Sequence, residues 1–461
     1  MNKTFLKLVL FLLIPFQLFI FTFLVPPFQK PDEQPHFEKS LLFSKGYIFC
    51  DKKINNIVKL EKKYVDLIKT PYLDLLTHGK SKLPTKVFLK DLFANNQSNT
   101  LVDFNVDQLC SFPVISYLPQ AFTLIILTLV NINPIQSIYF VRLAMGVLCY
   151  FWFLYLYKKI NHHYKLILLF TFTLPMTLHQ VSSFSYDALH IMFGLTFFVL
   201  LINTWIPAGA CPRLRSGAGM TQTTKKYFNL FSILFLFLAS KKIGYETFFL
   251  FLFLIPIEVK PMIMSSLVFI PFYILSKLTG SFDLQASLTN TAINPLQQIN
   301  FLISNPLNIF SILISTSINR FPFYLQSLIG IFGWLEYGLD PVSYILYGLF
   351  FIYVIVETRH ALSLHKNKTI LLFAILIFSY IFIILLAFVF NTSPGTQIAH
   401  GVQGRYFIPF VPFIILLITQ FTQKIKFPKL KISKWILNII YISTILYLTS
   451  ATFWSVYNRY Y

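Results

Sequence analysis

The stretch KTFLKLVLFLLIPFQLFIFTFLVPPFQKPDEQPHF, residues 3–37, decides how the chain is read. Up to Val25 it is apolar over the roughly 20 residues that a bilayer crossing needs, and Lys3 and Lys7 flank its start. That basic flank directs the first helix outward, with the N-terminus inside. No small-residue cleavage site follows, so the segment reads as an anchor and not as a removed signal peptide. Pro31-Asp32-Glu33-Gln34-Pro35-His36-Phe37 then places two carboxylates and an imidazole where the chain leaves the apolar run. Ionisable groups at such a point mark a functional site by default, with catalysis or metal binding at the water interface as the leading reading.

The remainder of the 461 residues has the same character. With 56% hydrophobic and only 12% charged residues and a mean hydropathy of +0.66, a soluble fold would expose too much apolar surface. The apolar runs also lack the alternation of outer-membrane barrel strands. The expected fold is therefore an all-α integral membrane protein in contact with the lipid bilayer. The formal charge of +21, from 38 Lys and Arg against 17 Asp and Glu, reads as basic inside loops and not as a nucleic-acid surface. Four cysteines, Cys50, Cys110, Cys149 and Cys211, show no metal-binding spacing. Cys50 and Cys110 fall in one outside loop, where a disulfide and two free thiols are both open readings.

Charge placement then orders the chain as a single polytopic domain, 1–461. Residues 26–136 form a large first outer loop holding ten of the seventeen acids and thirteen lysines; long loops translocate regardless of such charge. Within it, 114–131 reads as a helix lying in the interface, because a crossing there would put Lys158 and Lys159 outside. Crossings are expected near 137–157, 164–180 and 187–206. A basic cytoplasmic linker, 207–227, precedes short spans at 228–240 and 244–257. A span at 261–278 leads to a second outer segment, 279–340, and spans at 341–357, 369–390, 406–421 and 435–453 complete eleven crossings, with the C-terminus outside.

This topology gathers the unusual polar residues on the outer face: Asp32, Glu33 and His36, then Tyr186 and Asp187, Lys241 and Lys242, and Gln403, Arg405 and Tyr406. Pro35 and Gly46 bracket a short helix over 35–45. Asp32 and Glu33 then precede its positive end, which favours their ionised forms. An ionised carboxylate accepts a proton or holds a cation, so the pair suits a general base or a metal ligand. The competing reading of Asp32 and Asp187 is helix capping, and that of the lysines is snorkelling to the interface. Arg405, planar and permanently charged, suits phosphate. Carboxylates for an acceptor beside cations for a lipid phosphate match glycosyl transfer from a polyprenyl-linked donor.

The segments PPFQKPDEQPHF (26–37), SFSYDAL (183–189), KKIGY (241–245) and QGRYFIPFVP (403–412) resemble, in order and over most of the chain, a bacterial family of predicted multi-pass membrane proteins. That family in turn looks like the GT-C superfamily of integral-membrane glycosyltransferases. The resemblance implies a GT-C-like bundle in the bacterial cytoplasmic (inner) membrane, a polyprenyl-phosphate-linked sugar as donor, and an envelope glycan, lipid or protein as acceptor. It implies Asp32 as the catalytic carboxylate, Glu33 as its acidic neighbour and Asp187 as a further acidic position; the reading of the residues adds His36 to the catalytic set and Tyr186, with Asp187, to orient the acceptor or an ion. Lys241, Lys242, Gln403, Arg405 and Tyr406 would hold the donor phosphate. A divalent ion, Mg or Mn, is an open expectation on Asp32, Glu33 and Asp187. A carrier or flippase for lipid-linked sugars and a noncatalytic envelope-assembly subunit are the alternatives; a carrier predicts repeated halves, and no internal repeat is evident.

Overall fold

Without water to satisfy them, the backbone groups of an apolar run must pair within the run, which makes it helical. The computed structural model describes residues 3–48, 57–78, 81–94, 100–106, 113–205, 220–239, 244–255, 259–279, 293–359, 366–423, 425 and 434–461. Among these, strand is confined to two antiparallel pairs: Ile57–Glu61 with Leu101–Asn105, and Ile331–Phe332 with Tyr337–Gly338. The protein is an all-α membrane fold.

Among the described residues, six helices are long and apolar enough to cross a membrane: Leu6–Leu24, Pro134–Lys159, Asp187–Thr204, Pro341–Thr358, Lys366–Asn391 and Gly404–Thr422. Each coincides with an expected crossing. A bent pair, Pro295–Ser304 and Asn308–Ile329, turns through 115° and would make a seventh, although it falls in the segment 279–340 expected outside. The expected span at 164–180 is broken instead. Leu174 is extended (ψ 128°) ahead of Pro175, which separates Lys165–Thr173 from Pro175–Val181, because a proline lacks the donor and forces its predecessor out of the helical region. Tyr227–Phe237, Tyr245–Leu254 and Pro261–Leu275 are apolar but short. The 27-residue helix Lys434–Tyr460 is not among the six. By length and apolarity, then, the described residues supply six or seven helices of crossing length where eleven crossings were expected.

The Leu118–Leu129 helix has 12 residues, about 18 Å at 1.5 Å per residue, too short to cross. Most of the linker 207–227, together with Cys50, Cys110 and Cys211, lies outside the described residues; the described helix Met220–Ala239 begins within the linker.

Two close approaches fix the centre of the bundle. The first helix packs on Pro134–Lys159, Pro175–Val181 and Lys434–Tyr460, and Gln17 Nε2 donates to Thr452 Oγ1 at 3.3 Å. On the opposite side, the 3₁₀ segment Gly404–Phe410 runs against the Asn308–Ile329 helix, where Gly404 N donates to Ser327 Oγ at 2.8 Å. A Cβ on Gly404 would lie 2.1 Å from the Tyr324 carbonyl oxygen and 2.3 Å from the Leu328 nitrogen, both backbone atoms that cannot step aside. Gly348, in the Pro341–Thr358 helix, meets nothing within 4 Å. Gly404→Ala is therefore expected to destabilise the protein by about 3 kcal/mol or more. Gly348→Ala should be neutral or stabilising by up to about 1 kcal/mol, and thermal unfolding in detergent compares the two.

Candidate functional site

The loop after the first helix is held open against its own preference. Val25 turns extended, and Phe28 (φ 61°) and Asp32 (φ 57°) both sit in the left-handed region without being glycine. Each such residue costs about 1–3 kcal/mol and persists only where its surroundings over-determine it. Here they do. Arg142, fully buried in Pro134–Lys159, donates to the carbonyls of Thr22, Val25 and Pro26 and grips Glu33 through two bonds, Nε to Oε1 at 2.8 Å and Nη2 to Oε2. Lys30, also buried, donates to His179 O at 3.2 Å and to Ser182 Oγ at 3.0 Å. Trp334 Nε1 donates to Phe28 O at 3.3 Å, and Gln29 Nε2 to Leu73 O at 3.2 Å.

This bracing leaves Asp32 at the N-cap of the Glu33–Ser44 helix, yet its side chain makes no capping bond. It turns to Arg405, whose Nη2 donates to Asp32 Oδ2 at 2.7 Å. The Asp32 side chain remains 49% exposed, while Arg405 is 3% and Asp187 8% exposed. Asp187 Oδ2 stands 3.7 Å from Arg405 Nε. The Asp187 amide donates to Ser185 Oγ at 3.1 Å. Two other guanidinium donors, Nε and Nη1, are buried without a hydrogen bond. Burial by itself would raise the Asp32 carboxyl, but the charges of Arg405 and His36 and the hydrogen bond from Arg405 outweigh it and hold the group below its ordinary 3.8. Asp32 is thus an open carboxylate kept ionised.

Aromatic rings enclose the cluster. His36, one turn beyond Asp32, shares a 2.7 Å hydrogen bond between Nδ1 and Tyr117 OH and meets the Tyr186 ring edge-on at 4.8 Å. His190 Nδ1 donates to the Tyr186 carbonyl at 2.8 Å. Tyr245 OH donates to Tyr406 O at 3.0 Å, and the Arg405 guanidinium lies 5.5 Å from the Tyr406 ring centre.

The structure therefore brings Asp32, His36, Tyr186, Asp187, Arg405 and Tyr406 together, and it separates Glu33 from them. Glu33, expected to be catalytic or metal-binding, is fully buried with both oxygens on Arg142. Among the described residues no three His, Cys, Asp or Glu gather to hold an ion. With Glu33 committed to Arg142, and Asp32 and Asp187 sharing Arg405, the set expected for Mg or Mn does not fit a divalent cation. Gln403 lines a separate small cavity with Arg320 and His400. Lys241 and Lys242 lie outside the described residues. Not singled out from the sequence were Arg142, Lys30, Tyr117 and Tyr245. Arg142 carried a usable signal, being an arginine inside an apolar run, and such residues are rare and purposeful.

A family model described as a predicted membrane protein (DUF2142) matches residues 13–414, a span that contains every residue of this cluster. No curated protein and no solved structure matches the chain.

Two outcomes test the geometry. Glu33→Gln leaves Arg142 buried without its counter-charge, so it should cost about 3–5 kcal/mol and lower the thermal midpoint sharply; a catalytic but non-structural Glu33 would leave the midpoint unchanged. The Asp32–Arg405 pair, a hydrogen bond between charged groups worth about 1.5–3 kcal/mol, should be fully present above the ordinary carboxyl value. It is lost as pH falls through the lower folded-state value. Asp32→Asn should therefore reduce stability at pH 7 and remove part of the acid-induced loss below pH 3.8, read from denaturation midpoints as a function of pH.

Proposed function

Because the chain belongs to the DUF2142 family of predicted membrane proteins, and because its polar residues converge on one open carboxylate, we propose that it is a glycosyltransferase. Its site lies at the outer face of the cytoplasmic membrane, with the N-terminus inside, and sugar passes from a polyprenyl-phosphate-linked donor to an envelope acceptor. The observation that carries this reading is the pairing of a half-exposed, ionised Asp32 with a buried Arg405 that keeps two donors unsatisfied. An acceptor hydroxyl gives its proton to Asp32 as its oxygen attacks the anomeric carbon. The bond from that carbon to the phosphate oxygen breaks, and the departing oxygen takes the electron pair and gains negative charge. Arg405 Nε and Nη1 are the donors for it. The reaction inverts the anomeric centre.

Arg405 also accounts for timing. While it pairs with Asp32, the carboxylate is a weak base, since catalytic bases work best near the ambient pH. A phosphate that draws the guanidinium toward itself relieves Asp32 of its counter-charge and strengthens it as a base when the donor is in place. His36, Tyr186 and Asp187 are assigned to the acceptor. Lys241 and Lys242 keep the donor phosphate as their expected role; Tyr245, a few residues on, touches Tyr406.

A carrier for lipid-linked sugars is favoured by one observation, the 115° bend between Pro295–Ser304 and Asn308–Ile329, because transporters build their sites from discontinuous helices. Asp32→Asn separates the two readings. At equal membrane abundance, mass spectrometry of polyprenyl-linked sugars and envelope glycans should show one donor accumulating and one glycan lost. Unchanged lipids and glycans, under conditions where deletion of the gene changes both, would remove Asp32 as the base and favour the carrier.

A further inference from the structure

Two cavities flank the Asn308–Ile329 helix, and their chemistry is opposite. The larger, about 1170 Å³, exceeds the roughly 300–1,000 Å³ of ordinary small-molecule pockets. Phe170, Phe321, Leu325, Ile345, Phe351 and Ile414 are typical of its lining. Glu336, the carboxylate among its lining residues, is engaged by Arg459. Phe321, Leu325 and Ile345 are 56%, 45% and 61% exposed, so the cavity opens sideways on surfaces that a membrane helix turns toward lipid. The smaller, about 170 Å³, is lined by Arg320, His400, Gly401 and Gln403 among others.

Arg320 Nη2 lies 3.2 Å from His400 Nδ1. A guanidinium can only donate, so Nδ1 accepts and the imidazole proton sits on Nε2, leaving the pair, among the described residues, with a positive charge that no carboxylate meets and with an N–H donor. The Gln403 side-chain oxygen is buried without a partner, and rotation of the amide presents its NH₂ from the same place. Leu335 lines both cavities. It sits at φ 65° in the hairpin that Trp334 ties to Phe28 of the Asp32 loop. Gln403 and Arg405 are two residues apart, at most about 7 Å between Cα atoms, so an anion on Gln403 is within an arginine's reach of Arg405.

We propose that the two cavities form one site for a polyprenyl phosphate, with the phosphate on Arg320, His400 and Gln403 and the isoprenoid chain in the large apolar cavity. The assignment rests on the donor class proposed above and moves the main phosphate contacts from Lys241, Lys242 and Arg405 to Gln403, which was expected there, and to Arg320 and His400, which were not. Charge complementarity selects the occupant: an anionic head beside the Arg320 guanidinium, and a long apolar tail in the apolar cavity. Arg405 then meets the phosphate from the side of Asp32, as the group that stabilises charge on its departing oxygen.

The test uses the full-length protein in nanodiscs and a long-chain polyprenyl phosphate carrying a diazirine in its chain. Photolabelling should map to residues lining the large cavity. Arg320→Gln should reduce labelling about tenfold. Gly348→Leu, which fills the cavity from a position with no atom within 4 Å, should reduce it similarly without lowering the thermal midpoint. Asp32→Asn frees Arg405 for the phosphate and should not reduce labelling, so binding is read separately from transfer: labelling intact with transfer unaffected by Asp32→Asn would sink the catalytic reading and keep this one. Labelling elsewhere, labelling indifferent to both Arg320→Gln and Gly348→Leu, or equal competition by phosphatidylglycerol would overturn the assignment and leave an ordinary lipid-filled cleft.

Discussion

A single buried guanidinium organises this protein. Arg142 has no access to water, and an isolated charge in such surroundings would cost several kcal/mol. Its donors are used on Glu33 and on the carbonyls where the first helix ends. Those carbonyls are the acceptors that a terminating helix leaves unsatisfied, so one residue compensates its own burial and caps the helix. The chain can then leave the helix abruptly, pass through two left-handed residues and present Asp32 outward. Remove the guanidinium and nothing else in the described structure holds both Glu33 and the end of the helix.

The arrangement divides adjacent acids between two jobs. Glu33 is closed and neutralised, and Asp32 is open and merely steadied. Asp32 sits in the left-handed region, and the two neighbouring side chains go to different arginines, Asp32 to Arg405 and Glu33 to Arg142. A second arginine, Arg405, repeats the pattern with a looser grip, bonding one carboxylate, standing 3.7 Å from another and keeping donors in reserve. In the proposed function, Arg142 supplies rigidity and Arg405 supplies response, the combination that a preorganised site requires.

Much of the fold was legible because apolar runs in a bilayer have one solution, and six runs became helices of crossing length where the residues indicated. The number of crossings was harder to read. Pro175 broke a run that hydropathy treats as continuous, and Asn308–Ile329 was read as an outer segment for its polar and proline content. For the candidate site, the motifs around Asp32, Asp187 and Arg405 pointed to residues that do meet in space. The roles of Asp32 and Glu33 could not be separated, because two adjacent acids look alike until the dihedral angle between them is known. Arg320 and His400, 80 residues apart, carry no spacing signal at all; only the stitching of Ala399 and Gly404 to Thr316 and Ser327 brings them together.

The division of labour between the two acids is the centre of the account, and comparing Asp32→Asn with Glu33→Gln tests it most directly. Lipid-linked sugars and envelope glycans would be quantified per unit of folded protein in each strain. The account predicts that Asp32→Asn abolishes transfer per folded molecule, whereas Glu33→Gln lowers the amount of folded protein and leaves transfer per molecule near the parental level. A folded but inactive Glu33→Gln protein alongside an active Asp32→Asn protein would contradict it and return the chemistry to Glu33.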